Sequence, residues 1–204
     1  MSSNAVSALH VEATRLHFFQ DHPGWLINIG AGDPWPASSF YDAGWQCLLI
    51  EPDPQVIHQL YSHGGRRNDQ RWQVCSIAMA DRPGILPFFI GHPQTSSLDP
   101  DWHKKVVIQD DQATILVRCT TPNELISFFP QYFEHPMETA VIMDVEGYDH
   151  RLLDAWPFDR FAPAMLVAES PGYTSPKIEA MYKLYVNDGL NLIWIRKDLK
   201  PWRT

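Results

Sequence analysis

The sequence has few cysteines, no long apolar run and no basic excess. Its cysteines, Cys47, Cys75 and Cys119, are odd in number, and each lies in or beside an apolar run, so we expect buried free thiols rather than disulfides or a metal site. No stretch reaches the roughly 18 consecutive apolar residues that a membrane span requires. Residues Met1 to His10 lack the basic start and apolar block of a signal peptide, so we expect a cytoplasmic protein without a membrane partner.

The charge balance excludes a second class of partner. The chain has 24 acidic and 16 basic residues and a net charge of −8. Because an acidic surface repels phosphate backbones, we do not expect nucleic acid as a partner. With 204 residues, of which 45% are hydrophobic, the chain is predicted to form one domain (1–204) that buries its own core.

Apolar runs alternate with segments of helical spacing along most of the chain. We predict an amphipathic helix within an N-terminal extension of residues 1–22. The predicted strands that follow are Trp25–Ile29, Gln46–Ile50, Trp72–Ile77, Thr139–Met143 and Ala164–Ala168. Strands that alternate with helices at this spacing favour an α/β fold with a mostly parallel sheet and helices on both faces.

Two regions are less regular. Residues 84–119 are predicted to be a strand-rich insertion near the substrate, in which Lys104–Ile108 pairs with Thr114–Cys119 as a hairpin. Helical spacing then extends over Pro176–Asn187, and Leu190–Ile195 is the one clear strand after Glu169. The C-terminal part of the sheet is therefore predicted to be short.

The first strand is followed by a glycine turn, and the second by an acid. Gly30 and Gly32 flank Ala31, and Glu51 comes about twenty residues later, which is the arrangement that binds the ribose of a nucleotide-like cofactor. A dinucleotide fold has a third glycine where this chain has Trp35. This difference favours S-adenosylmethionine, which has no phosphate and whose ribose hydroxyls Glu51 would bind.

A second signal follows the buried strand that ends at Met143. Asp144 lies at its tip, where open parallel sheets bind ligands, and it could accept a hydrogen bond from the cofactor's ammonium group or approach the reacting hydroxyl. Glu146 could serve catalysis or hold the turn at Gly147. Both acids could instead form a helix cap with first-turn charge.

Several motifs together resemble those of the FkbM-type S-adenosylmethionine-dependent methyltransferases. These motifs are Ile27–Gly32, Ile50–Pro54, Ala78–Gly84, Thr95–Leu98, Val117–Leu125 and Ile142–Gly147 with Asp149. The resemblance implies a single-domain class I methyltransferase (Rossmann-like) fold and methylation of a hydroxyl oxygen, often on a sugar or a natural product. In that fold two strands, one of them a final antiparallel strand, ordinarily follow the position of Glu169. The chain departs from the pattern at Asn28, where an acid is usual, and at Met143, where a basic residue commonly stands.

These observations give a set of expected site residues. The candidates for catalysis are Asp144, Glu146 and His150. The expected cofactor-binding residues are Asn28, Gly30, Ala31, Gly32, Glu51, Pro52, Ala78, Ser97 and Asp144. The expected substrate-binding residues are His92, His103 and Glu169. Although Asp144, Glu146 and Glu169 could converge, no ligand cluster in the sequence demands a metal, and none is expected.

Two other functions share parts of this pattern. A nicotinamide-dependent (NAD(P)) oxidoreductase has the same strand, glycine turn and ribose carboxylate. The departures at Asn28 and Met143 also fit a non-catalytic protein that binds S-adenosylmethionine. We nevertheless expect an O-methyltransferase that acts on a small hydroxylated acceptor.

Overall fold

The described part of the chain forms two sheets, the larger of which has helices on both faces. The structure is a computed structural model, and it describes residues 3–20, 22–91, 95–106 and 113–201. Its strands are β1 (Trp25–Ile29), β2 (Gln46–Ile50), β3 (Trp72–Cys75), β4 (Ala78–Met79), β5 (Gly84–Ile90), β6 (Ala113–Thr120), β7 (Thr139–Met143), β8 (Met165–Ala168), β9 (Tyr182–Asn187) and β10 (Leu192–Arg196). Its helices are α1 (Ser3–Phe19), α2 (Ala37–Asp42), α3 (Pro54–Ser62), α4 (Pro100–Val106), α5 (Pro122–Phe128), α6 (Asp149–Ala155) and α7 (Pro176–Met181).

The larger sheet has β1 at its centre. Its strand order is β3-β2-β1-β7-β8-β10-β9. The strands from β3 to β8 in this order are parallel to one another, and β10 runs antiparallel to both β8 and β9. The predicted α/β fold with a mostly parallel sheet is therefore confirmed. The carboxyl ends of β1, β2, β7 and β8 consequently meet at one edge.

Two cores lie on opposite faces of this sheet. Successive strand residues point to opposite faces. Leu26 of β1 packs in one core with Phe40 of α2, whereas Ile27 packs in the other core with Leu125 of α5 and Leu152 of α6. Because both faces are covered, the central strands are continuous apolar runs, and this pattern explains why they were predictable.

The C-terminal part of the sheet differs from the prediction. The helix predicted over Pro176–Asn187 ends at Met181, and the rest of that segment is β9. Two strands therefore follow β8, and the expectation of a shortened sheet is wrong. The Tyr182 hydroxyl donates to the backbone oxygen of Pro163 at 2.8 Å, and β9 pairs along its length with β10. The pairing with β10 therefore makes Tyr182–Asn187 a strand, although the spacing of its apolar residues favours a helix.

The predicted hairpin of Lys104–Ile108 with Thr114–Cys119 is also wrong. Lys104 lies in α4, and β6 instead pairs antiparallel with β5 in a second sheet of order β4-β6-β5. Phe88 of β5 and Val117 of β6 are buried in the same core as β1, so this pairing is held by packing on the larger sheet. Residues 107–112, where the hairpin turn was expected, lie outside the described residues.

The expectations from composition can be compared with the structure as well. All three cysteines are free, as predicted; Cys47 and Cys119 are buried, and Cys75 is half-buried. In the part of the chain that the structure describes, no helix has the length and apolar character to cross a membrane.

Candidate functional site

A cavity of about 550 Å³ lies at the carboxyl ends of β1, β2, β7 and β8. Its volume falls within the range of small-molecule sites. The residues of the predicted site that line it are Asn28, Gly30, Ala31, Gly32, Glu51, Pro52, Ala78, Asp144, Glu146 and Glu169. The structure thus brings the glycine turn Gly30–Gly32 next to Asp144, although more than 110 residues separate them in the sequence.

The other predicted site residues lie elsewhere. Ser97 is buried, and its hydroxyl donates to the backbone oxygen of Glu146 at 2.7 Å. It therefore holds the backbone at Glu146 without lining the cavity. His103 is buried within α4 and does not line the cavity. His150 is exposed and lines a second cavity of about 410 Å³, which shares Glu169 with the first. His92 lies outside the described residues.

The glycine turn brings the two motifs into contact. Gly30 has a φ of +73°, and a Cβ added to it would lie 1.9 Å from the backbone oxygen of Asp144. The Gly30 N–H donates to Ile50 at 2.9 Å, and the Asp144 N–H donates to Ile29 at 2.9 Å. A glycine is therefore required at position 30 because the ends of β1, β2 and β7 lie too close together for a side chain. The sequence alone instead predicts the close approach of a cofactor.

The start of α2 offers few donors to an anion. Pro34 and Pro36 have no N–H group. The Trp35 N–H donates to the Asp33 carboxylate at 3.0 Å, and the Ser38 N–H donates to the backbone oxygen of Pro34 at 2.9 Å. Phosphate sites at helix starts depend on free backbone N–H groups, so this helix is poorly suited to a pyrophosphate.

Glu51 is a buried acid at the tip of β2, with 5% of its surface exposed. One of its carboxylate oxygens accepts the Asp53 N–H at 2.9 Å. Burial raises the pKa of Glu51 to about 7; the negative charges of Asp53 and Asp144 add to this effect, while the backbone N–H groups of Asp53 and Gly32 oppose it. The carboxylate is thus held ready to accept hydrogen bonds from a ligand that enters the cavity.

The raised pKa of Glu51 predicts a pH-dependent stability difference. Because its folded pKa of about 7 lies above the value of 4.5 for an exposed Glu, the folded state holds the proton longer, and the stability that Glu51 contributes falls as pH rises through 7. The unfolding free energy of Glu51→Gln minus that of the native chain should therefore increase by about 2 kcal/mol from pH 5 to pH 8. Urea unfolding at both pH values measures this gain. Glu134→Gln, at an exposed position, is the control. An equal gain in Glu51→Gln and Glu134→Gln would contradict a raised pKa of Glu51 as the cause.

Three carboxyl groups converge at the tips of β7 and β8. Single oxygens of Asp144, Glu146 and Glu169 all lie within 4.8 Å of one another. Asp144 lies deep among protein atoms, yet its side chain is open to the cavity, so water reaches it. Burial and mutual repulsion raise the pKa of Glu146 to about 9 and that of Glu169 to about 8. A hydrogen bond joins Asp144 to Glu169, and burial raises the pKa of Asp144 as well.

A tight turn directs Glu146 towards this cluster. Glu146 has a φ of +53° and Gly147 a φ of +85°, and both are left-handed conformations. A Cβ on Gly147 would lie 2.4 Å from the ring of Trp102, so the indole packs directly on the turn. The Tyr148 hydroxyl donates to the Asp81 carboxylate at 2.7 Å and ties the turn to the segment after β4. The position of Glu146 is therefore fixed from several sides.

The charge of the cavity lining is uniform in sign. Among the described residues that line it, none is Lys, Arg or His, whereas the acids are Asp33, Glu51, Asp144, Glu146 and Glu169. Such a lining attracts cations and hydrogen-bond donors and repels phosphate groups.

Comparisons with known proteins add no family. No protein-family model matches the chain, and no curated protein matches it. The resemblance to FkbM-type methyltransferases therefore rests on the sequence motifs alone.

The sequence did not identify several lining residues. Leu9 and Val11 of α1, Leu190 and Asn191 before β10, and Tyr148 all line the cavity. The first four belong to segments far from the motifs, and only tertiary packing brings them there. Tyr148 had a local signal, because it directly follows Asp144–Gly147.

Proposed function

We propose that this chain is an S-adenosylmethionine-dependent methyltransferase that acts on a hydroxyl oxygen of a small molecule. The observation that carries the proposal is the joining of Glu51 and the Asp144 cluster in one cavity whose described lining has no Lys, Arg or His. Such a cavity suits a cofactor that is cationic, carries ribose hydroxyls and has no phosphate.

The start of α2 supports the choice of cofactor class. A nicotinamide dinucleotide would need donors for its pyrophosphate at this helix. Pro34 and Pro36 have no N–H group, and the Trp35 and Ser38 N–H groups have partners within the chain. The oxidoreductase alternative is thereby disfavoured.

The strand order also supports the proposal. The resemblance implies a class I fold, in which two strands follow the position of Glu169 and one of them is antiparallel. The chain has both strands, β9 and β10, with β10 antiparallel between β8 and β9. This arrangement removes the main mismatch between the sequence and that fold.

The residues present fit the cofactor. Glu51 would accept hydrogen bonds from the ribose hydroxyls, and Asp144 would accept one from the ammonium group. Asn28 and the Gly30–Gly32 turn would border the amino-acid part, and Pro52 and Ala78, with the apolar side chains beside them, would border the base. When bound, S-adenosylmethionine supplies a methyl group on a positively charged sulfur.

The acids of the cluster would position and deprotonate the acceptor. The cofactor would supply the methyl group for a bond to the acceptor's hydroxyl oxygen, and the carbon–sulfur bonding pair would stay on sulfur. The hydroxyl proton would pass to a carboxylate of the cluster. Asp144 and Glu146 line the cavity, and the raised pKa of Glu146, about 9, makes its ionised form a competent base. Rigid placement of these groups would supply much of the rate.

Calorimetric titration with S-adenosylhomocysteine tests the proposal. We expect one molecule to bind per chain, since the product shares the ribose and amino-acid groups of the cofactor. No binding by folded protein would remove the proposal. NADH in place of S-adenosylhomocysteine is the matched ligand control, and tight NADH binding would favour the oxidoreductase. Binding of S-adenosylhomocysteine without turnover of any hydroxylated acceptor would favour a non-catalytic binding protein.

A further inference from the structure

The cluster at the tips of β7 and β8 concentrates negative charge at the junction of two cavities. Asp144 and Glu169 follow directly after their strands, and the left-handed turn places Glu146 beside them. Their nearest oxygens lie within 4.8 Å of one another. No Lys or Arg is found among the described residues that line either adjoining cavity. Like charges held this close are costly unless a cation or protons neutralise them.

A fourth acid lies directly behind the cluster. Asp149 is 99% buried, since its relative exposure is 1%. One carboxylate oxygen accepts the Val145 N–H at 3.3 Å. The side chain is therefore held against the backbone of the turn that carries Asp144 and Glu146. Its other oxygen has no hydrogen-bond partner among the described residues. A buried acceptor without a partner is rare in a folded protein, and this oxygen is available to a donor.

We propose that Asp144, Glu146 and Glu169 bind one divalent cation of the Mg²⁺ or Mn²⁺ class. Carboxylate oxygens are the ligands that these hard cations prefer, and each of the three residues offers one. Three protein ligands leave coordination positions for water and for a substrate oxygen. The free oxygen of Asp149 would accept a hydrogen bond from a metal-bound water, as acids behind metal ligands commonly do. This site alters the expectation from sequence, which was that no metal is needed.

The cation would also define where the acceptor binds, and this part rests on the proposed methyltransferase function. Glu169 lines both cavities, so the cluster lies where they meet. The second cavity is bordered by Trp102, His150 and Tyr173, which suit a hydroxylated molecule with an apolar face. A hydroxyl that entered from this cavity would coordinate the cation, which would lower its pKa and favour loss of its proton.

Titration of the full chain with Mn²⁺, followed by the electron paramagnetic resonance signal of the free ion, tests the site. We expect one Mn²⁺ per chain, at least tenfold weaker binding in Glu169→Gln, and unchanged binding in Glu179→Gln. Glu179 is an exposed acid on α7, so it is a matched control for the loss of one charge. Circular dichroism establishes that each variant is folded. Because Glu169→Gln removes repulsion, it should be at least as stable as the native chain without metal.

Each outcome bears on the site. No Mn²⁺ bound by the native chain at millimolar concentration overturns the proposal, and so does equal binding by native chain and Glu169→Gln. Weaker Mn²⁺ binding in Glu169→Gln, with unchanged binding in Glu179→Gln, supports the metal site. Titration with S-adenosylhomocysteine in the presence of EDTA separates the two proposals. Cofactor binding without Mn²⁺ binding would remove only the metal site, and Mn²⁺ binding without cofactor binding would remove only the methyltransferase.

Discussion

Replacement of Glu51 by Ala is expected to weaken S-adenosylhomocysteine binding at least a hundredfold. Two hydrogen bonds from ribose hydroxyls to a charged group are worth roughly 1.5–3 kcal/mol each, so their loss removes about 3 kcal/mol or more. Glu51 is buried at the tip of β2, and its position is set by the Asp53 N–H that one of its oxygens accepts. In Glu51→Ala, water is therefore a poor substitute for the carboxylate as the acceptor of the ribose hydrogen bonds. Calorimetry on the native chain and the variant gives the ratio of the two dissociation constants.

A loss of binding must be separated from a loss of folding. The charge of Glu51 is unfavourable in the folded state, because burial raises its pKa to about 7. Glu51→Gln keeps nearly the same volume without this charge, so it should be stable at pH 8 and still bind poorly. Glu179→Ala changes an exposed acid and should bind normally. Near-native affinity in folded Glu51→Gln and Glu51→Ala would mean that the ribose does not lie against this residue.

Replacement of Gly30 by Ala is expected to destabilise the protein by about 2–5 kcal/mol, the sum of left-handed strain and overpacking. The φ of Gly30 is +73°, and the added Cβ would lie 1.9 Å from the backbone oxygen of Asp144. That oxygen belongs to the backbone between β7 and the acid turn, so it cannot move without separating β1 from β7. Urea unfolding measures the loss.

Gly65 offers a matched control for this substitution. Its φ of +71° is nearly that of Gly30, but no atom lies within 4 Å of the position of an added Cβ. Gly65→Ala should therefore lose only the conformational strain, about 1–2 kcal/mol. The excess loss in Gly30→Ala measures the contact with Asp144. Equal losses in the two variants would show that the strand ends are not in close contact.

The central strands and their acidic tips were predictable from sequence. β1, β2 and β7 are covered on both faces, so each is a continuous apolar run, and a glycine or an acid follows each run directly. Because parallel strands place their carboxyl ends at one edge, the order of apolar runs and acids is enough to predict that Glu51 and Asp144 share a cavity. That expectation depends only on local patterns.

The elements that were missed depend on distant pairing. β9 is an edge strand whose Leu184 and Tyr185 side chains are exposed, so its residues show no alternation and match a helical spacing instead. β6 pairs with β5, although a nearer apolar segment preceded it in the sequence. Leu9 and Val11 reach the cavity because α1 packs against the sheet, and no local pattern encodes that placement.

The position of β1 between β2 and β7 has a consequence for how the chain becomes functional during synthesis. β2 follows β1 within about twenty residues, but Thr139–Met143, its partner on the other side, is made more than a hundred residues later. Until the ribosome has released β7, one edge of the central strand lacks its neighbour, and the chain is open to wrong pairing. Gly30 meets Asp144 at that late junction. The glycine turn and the Asp144 cluster are therefore brought together only when β7 pairs with β1, and a chain that ends before β7 lacks the cavity.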